Sequence, residues 1–451
     1  MAKAQATFTD HQYPLLYWLT LAYIVSMPNF IHFDMTGRIS NPFNFTSIAM
    51  TVQTLVSGYL LVVMLLLERR PLIYRRINIS LWLWVVLFLQ FALASLLQPE
   101  FHLAPPARID LLLSFYYLCQ WAVAFLLVVA LYSRTSPQQA TELMVRLIGR
   151  ACWIWIAMVW IVLPIMPAQV YGGSDESSTP FRQLGGQFVH PGKLAMLAGV
   201  GFFYALFFFS SRPRKWLACL LALITMALTS ARTGELSFVI ALLLYAFVFS
   251  GKTVLRWGTI FILVPVAVIG SVFSSSLMQY VARGQSAQSL ASLDDRTRIW
   301  EASWEAIKLR PLLGYGYTVG ARRALRDHWT FVHWIPPHAH NELIQSQVDG
   351  GVIAVALVIY IYALVLWKAT RNARRGHNEL FILIVYWQLL VTTVSGPILS
   401  YRYETLGGIL LLCFIGVLGG GASTSDQRSL DKRVGSANAG LHVTEPQFEA
   451  R

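Results

Sequence analysis

Three groups of side chains in this chain have the types and spacing to do chemistry. His338 and His340 sit in PPHAHNELIQ at 336–345, Arg232 in LTSARTGELS at 228–237, and Arg296 and Arg298 in DDRTRIWEASWEAIKLR from 294. A histidine can take a proton from a hydroxyl near neutral pH. A guanidinium grips phosphate through two parallel hydrogen bonds. Each has a plainer reading. The histidines would bond to their own loop backbone. Arg232 would snorkel at a membrane interface or pair with Glu235, and Arg296 and Arg298 would line a solvated helix face. Two histidines make a poor metal site, and no Cys, Asp or Glu completes a ligand pattern around them; neither a metal nor a cofactor is expected. Weaker candidates are Arg182 and His190 in the 168–192 segment with Lys193 directly after it, and Tyr401 with Arg402 near 400.

The elements that must position these groups are apolar helices. The chain has 451 residues, of which 56% are hydrophobic and 13% charged. A soluble domain carries roughly 25% charged residues. A bilayer core of about 30 Å needs about 20 helical residues to cross. Apolar runs of that order predict an all-α polytopic membrane protein with about 12 transmembrane helices, at 13–31, 46–67, 80–98, 111–132, 147–167, 194–210, 216–229, 233–250, 257–275, 351–367, 378–396 and 405–421. Only the short polar hinge TSART divides the seventh from the eighth. The four cysteines, Cys119, Cys152, Cys219 and Cys413, all lie in apolar runs and read as buried, inert thiols. No small-residue cleavage site follows the polar start MAKAQATFTDHQ, so no cleavable signal peptide is expected.

Charge sets the orientation. The net charge is +13, which in a membrane chain orients helices and implies no nucleic acid. Basic residues crowd alternate loops: Arg69, Arg70, Arg75 and Arg76; Arg134, Arg146 and Arg150; Arg212, Arg214 and Lys215; Lys252 and Arg256; Lys368, Arg371, Arg374 and Arg375. The intervening short loops hold only Arg38, Arg108, Arg182, Lys193, Arg232 and Arg402. The positive-inside rule puts the first set in the cytoplasm, with both termini. Every candidate group then lies outside, in one single domain over 1–421 whose loop 276–350, between helices 9 and 10, is inserted on the outer side. A Gly/Ser-rich charged tail, 422–451, reads as disordered. Within the long loop, DDRTRIWEASWEAIKLR predicts a helix capped by Asp294 or Asp295, with Ile299, Trp300, Trp304 and Ile307 on one face, turned to the membrane surface or to the helix bundle. An outer cavity with several arginines and a histidine suits a phosphate-bearing, lipid-carried donor and a hydroxyl acceptor. No P-loop and no GxGxxG after a strand is present for a nucleotide.

Four segments together resemble the O-antigen ligase and O-antigen polymerase superfamily of bacterial membrane glycosyltransferases. They are GGQFVHPGKLAML at 185–197, LTSARTGELS at 228–237, DDRTRIWEASWEAIKLRPLLGYG at 294–316 and HAHNELIQSQVDGGVIAVALVIY at 338–360. Their order and the large loop before the late His-Asn segment fit as well. The resemblance implies a bacterial inner-membrane enzyme working on the periplasmic face. Its donor would be an undecaprenyl-pyrophosphate-linked glycan and its acceptor lipid A–core or another glycan. By the same resemblance Arg232 and Arg296 would hold pyrophosphate and His340 would act on the acceptor hydroxyl, with Arg298 and His338 as their rivals. Asn341, Arg182, His190, Lys193 and Arg402 would line the substrate cavity. The family often has Asn where Gly192 follows Pro191, so no role carries to that position.

Overall fold

The computed structural model of the chain describes residues 14–26, 45–67, 79–97, 105–135, 137–172, 182–186, 188–251, 253, 257–258, 260, 296–330, 336 and 338–419. These form α1 (Pro14–Ser26), α2 (Phe45–Leu67), α3 (Ile79–Leu96), α4 (Pro105–Ser133), α5 (Pro137–Val162), the single turn α6 (Pro167–Val170), α7 (Pro191–Phe208), α8 (Arg212–Thr229) and α9 (Arg232–Leu244), which continues as a π-turn (Tyr245–Phe249). Then come α10 (Arg296–Leu309), α11 (Val319–Asp327), α12 (Glu342–Asn372), α13 (His377–Thr392) and α14 (Thr405–Gly419). Two two-residue strands, Tyr171–Gly172 and Gln183–Leu184, pair antiparallel beside α6. Eleven of the expected runs fall on helices. The run at 257–275, apart from residues 257, 258 and 260, the capping Asp294 and Asp295, both termini and the 422–451 tail lie outside the described residues.

Five described helices are long and apolar enough to cross a membrane, within α4, α5, α7, α9 and α12, and α1, α2, α3 and α14 are shorter apolar helices. Apolar side chains such as Leu55, Trp82, Leu112 and Trp216 stay exposed on the outer surface, as a lipid-facing surface requires. Large aromatic side chains, among them Trp84, Trp121, Phe203, Phe381 and Phe414, are fully buried between the helices. The TSART hinge does divide two helices: α8 ends at Thr229, Ser230 turns with φ +50°, and α9 starts at Arg232. Two expectations fail. Cys119 is exposed on α4 while the other three cysteines are buried. On α10, Ile299, Ser303 and Ile307 are buried but Trp304 is exposed. At about 100° per residue, Trp304 falls about 140° round the helix from Ile299, which turns it off the packed face.

Contacts along the chain sort the helix ends. At one end, the α1 carbonyl of Ile24 accepts from Thr405 at the start of α14 (3.0 Å), and Glu342 N–H at the start of α12 donates to Thr393 at the end of α13 (3.0 Å). At the other end, Thr141 of α5 donates to Gly416 of α14 (3.1 Å), Lys368 of α12 to Ser80 of α3 (3.3 Å) and Asn372 to Val417 (3.3 Å). The basic residues Arg146, Arg150, Lys368 and Arg371 belong to that second end, away from the candidate site.

A break in α12 docks the long loop onto the bundle. Gly351 has φ +71° and ψ −169°, a region open essentially to glycine alone, and a side chain there would strike the Leu312 carbonyl. The break turns the preceding carbonyls outward. Val348 O then accepts from Tyr315 N (2.8 Å), Asp349 O from Gly316 N (2.9 Å), and Pro311 O from Val352 N (3.0 Å). Asp349 Oδ1 also accepts from Thr318 N (3.0 Å) and from the Gln345 amide (2.9 Å). The GYG and DGG sequences are therefore two halves of one joint.

Glu342 makes a second joint. Its buried carboxylate accepts the backbone N–H groups of Ile398, Leu399 (3.1 Å) and Ser400 (2.9 Å). One turn on, the Ser346 hydroxyl meets that of Ser400. These contacts fix the α13–α14 connection against the head of α12. Removing one acceptor that satisfies three buried donors leaves each unpaired, and such groups cost about 1–3 kcal/mol apiece. Glu342→Ala should therefore lower stability by roughly 3–5 kcal/mol, seen as a large drop in the melting temperature of the detergent-purified protein, with Glu342→Gln losing less. An unchanged melting temperature in Glu342→Ala would remove this joint from the account.

Candidate active site

The candidate site is built on the heads of α7, α12 and α14, with the start of α9 beside α7 and α10 against the segment that leads into α12. Residues 338–341 lead into α12. Asn341 is its N-cap: Oδ1 accepts from Leu343 N (3.0 Å) and Ile344 N (3.2 Å), which satisfies donors that a helix start leaves open. The segment before it is pinned at Ala339, whose N–H donates to Gln345 Oε1 (2.7 Å) and whose carbonyl accepts from the Trp300 indole of α10 (3.0 Å). His340 carries φ +50°, an uncommon conformation for a residue with a Cβ and one often found at functional sites.

The two histidines are not equivalent. Their rings lie 4.1 Å apart, centre to centre. His338 is buried, and its Nδ1 accepts the backbone N–H of His340 at 3.1 Å. With Nδ1 accepting, neutral His338 carries its proton on Nε2. Burial, followed by the neighbouring His340, Lys193, His190 and Arg402, holds the ring well below the usual imidazole range. His338 is thus a neutral donor. The same contributions bring His190, Lys193 and Arg402 into one electrostatic neighbourhood with the His pair.

His190 caps α7 through Nδ1, which accepts from Gly192 N at 3.2 Å. Three residues on, Lys193 pairs with Glu404, and Arg402 Nε approaches the same carboxylate at 3.3 Å. Burial works against the charge of Glu404, but the two cations outweigh it and hold its carboxyl below the usual range. The His338 ring also meets the edge of Tyr401 at 4.9 Å, and the Arg402 guanidinium lies 5.6 Å from the centre of that ring. Glu342 and Glu404 were not singled out in the sequence. Their signals were HNEL and YRYE, each a carboxylate beside a candidate cation or histidine. Arg322, buried on α11, was missed because GARRALRD reads as a solvated helix.

The arginines divide. Arg296 opens α10 one turn before Trp300, so the two share a helix face, and Trp300 is the residue that touches the histidine segment. Arg298 is exposed and lies about 200° round the helix from Arg296. Arg232 is the first residue of α9, and two residues later Gly234 packs directly on Ala195 of α7, itself two residues past Lys193. The α7 and α9 heads are therefore neighbours. Arg182 is exposed and lines a separate cavity of about 660 Å³ with Trp160, Leu163, Tyr171, Leu184 and Leu228; no described contact joins it to the histidines. Among the described residues no group of three or more His, Cys, Asp or Glu side chains could hold a metal ion.

A search of curated proteins finds no match to this chain. A family model does match: that of O-antigen ligase, over residues 217–359. The matched stretch runs from α8 into α12 and holds Arg232, Arg296, Arg298, His338, His340 and Asn341, while His190, Lys193 and Arg402 lie outside it. Over this segment the chain is similar to the O-antigen ligase family.

Proposed function

We propose that the protein transfers a glycan from an undecaprenyl-pyrophosphate carrier to an acceptor hydroxyl on the periplasmic face of the bacterial inner membrane. The observation that carries this reading is the gathering of His340, a neutral His338 and several cations at one end of an apolar bundle, with the histidines inside the matched segment. The opposite end carries the crowd of basic loop residues, which supports a periplasmic site by the positive-inside rule.

The chemistry needs one base and one anion stabiliser. His340 takes the proton of the acceptor hydroxyl. The oxygen forms a bond to the anomeric carbon as the bond from that carbon to the pyrophosphate oxygen breaks. The electron pair leaves with undecaprenyl pyrophosphate, and Arg232 and Arg296 stabilise its growing charge. Attack opposite the leaving group inverts the anomeric centre. Neutralised pyrophosphate leaves readily, so the step needs no metal. His338 suits positioning better than proton abstraction, since its Nδ1 lone pair is engaged by the His340 backbone. Arg296 is favoured over Arg298 by its shared face with Trp300.

Lipid A–core is the preferred acceptor, because the His-Asn segment is close to the ligase pattern. A lipid-linked repeat, as for an O-antigen or exopolysaccharide polymerase, uses the same chemistry, and so does a protein acceptor. A transporter or flippase with twelve spans is the reading from a different class. Transporters keep ionisable groups near the midplane, whereas here they sit at helix heads. Lipopolysaccharide gels of a deletion strain separate the acceptors: bare core with full-length carrier-linked chains indicates a ligase, single repeats on core a polymerase.

Two outcomes follow. Arg232→Ala, Arg296→Ala and His340→Ala should each abolish glycan transfer, scored on such gels, at normal protein levels in the membrane; full transfer by His340→Ala would eliminate it as the base. The second concerns His338. Its folded-state pKa lies below its ordinary value near 6.5, so the unfolded chain takes up the proton first on acidification. Its contribution to stability is complete above about pH 6.5 and falls as pH drops below that, with a slope of at most about 1.4 kcal/mol per pH unit. Melting temperatures between pH 7 and 5 should fall in the wild type and fall less in His338→Gln. Parallel curves would show that His338 is not held neutral.

A further inference from the structure

The transfer chemistry leaves one buried polar group at the site unused. Tyr401 is 4% exposed, and its hydroxyl is buried with no hydrogen-bond partner among the described residues. The residue itself is firmly held. Its carbonyl accepts from the Trp121 indole at 3.0 Å and from the Tyr317 phenol. Tyr317 in turn is fixed by Ser95, whose oxygen takes its N–H (2.9 Å), and by Ser114, which donates to its carbonyl (2.8 Å). A buried hydroxyl left unpaired costs about 1–3 kcal/mol, and native structures rarely keep one without another source of partner. Such a rigidly placed group, edge-on to His338 at 4.9 Å, points to a ligand.

The surroundings name the ligand's charge. Burial raises the Tyr401 phenol, and the charges acting on it are those of Arg402, Glu404 and Arg322, with Tyr117 beside them. Glu404 already holds Lys193 and Arg402. The two guanidiniums, one from α11 and one from the α13–α14 connection, also act together on Tyr117. The Arg402 guanidinium lies 5.6 Å from the Tyr401 ring, and the buried Arg322 sits on α11, which follows the Tyr317 that holds the Tyr401 carbonyl; a phenol O–H and two guanidiniums can all donate to an oxyanion.

We propose that Tyr401 Oη, Arg322 and Arg402 form an oxyanion subsite beside the histidine pair, which takes a phosphate or carboxylate group of the substrate. The identity of that substrate rests on the transferase reading; the anion chemistry does not. The group is either the donor's pyrophosphate or an acidic group on the acceptor glycan. Tyr401 acts here as a binding residue, and the proton transfer stays with His340.

The test is a titration of the full-length protein in detergent micelles with inorganic phosphate, followed by thermal shift. The wild type should bind saturably. Tyr401→Phe, which removes only the hydroxyl, and Arg322→Gln should each weaken binding about tenfold, and Arg322→Lys should recover part of the loss. Absence of saturable binding by the wild type, or wild-type affinity in Tyr401→Phe, would overturn the subsite. In a transfer assay, a raised KM for the donor in Tyr401→Phe assigns the group to the pyrophosphate, and a raised KM for the acceptor assigns it to the acceptor glycan. Unchanged KM values for both would overturn it as well. If no glycan is transferred at all, the phosphate titration still decides the subsite, so the two failures are told apart.

Discussion

The Glu342 carboxylate, buried at the head of α12, accepts the backbone N–H groups of Ile398, Leu399 and Ser400. The rest of the site depends on this contact. In an apolar bundle these N–H groups have no water to turn to, and each left unpaired is costly. Their acceptor comes from the residue directly after the His338–Asn341 segment. One side chain thus ties the loop that bears the histidines to the loop that bears Tyr401, Arg402 and Glu404. The Gly351 break, in the same helix, ties both to α10 and α11.

Electrostatics follow from that geometry. Lys193 and Arg402 converge on Glu404, which keeps a buried carboxylate ionised and two cations ordered. Buried charges require such pairing. The positive surroundings and the burial together keep His338 neutral. A neutral imidazole whose Nδ1 is occupied orients its neighbour, and His340 is the neighbour. Similarity to the O-antigen ligase family over 217–359 accords with a site built around histidine and arginine, and the residues outside that stretch supply the cations from α7 and the α13–α14 connection.

Much of this was legible in the residues. Hydropathy runs marked α1 to α5, α7 to α9 and α12 to α14, the TSART hinge marked the α8–α9 turn, and Arg232, Arg296 and the histidines were visible as motif residues. What was not legible depended on tertiary contacts. Glu342 and Glu404 look like ordinary charged residues until their partners, 56 and 211 residues away, are brought to them. Arg322 sits in a polar stretch whose burial comes from docking on α4, α10 and α12. Trp304 follows Trp300 by one turn but lies about 140° from Ile299, so a face counted from i+4 and i+7 spacing alone joined buried and exposed positions. Cys119 sits in an apolar run, but an apolar helix facing lipid exposes one side of itself.

The most direct measurement uses the purified protein reconstituted with an undecaprenyl-pyrophosphate-linked glycan and an acceptor, in the presence of a chelator, with the product's anomeric configuration read by NMR. The account predicts a new glycosidic bond of inverted configuration and release of undecaprenyl pyrophosphate. Movement of the intact lipid-linked glycan across the bilayer with no bond formed, or a product with retained configuration, would contradict it.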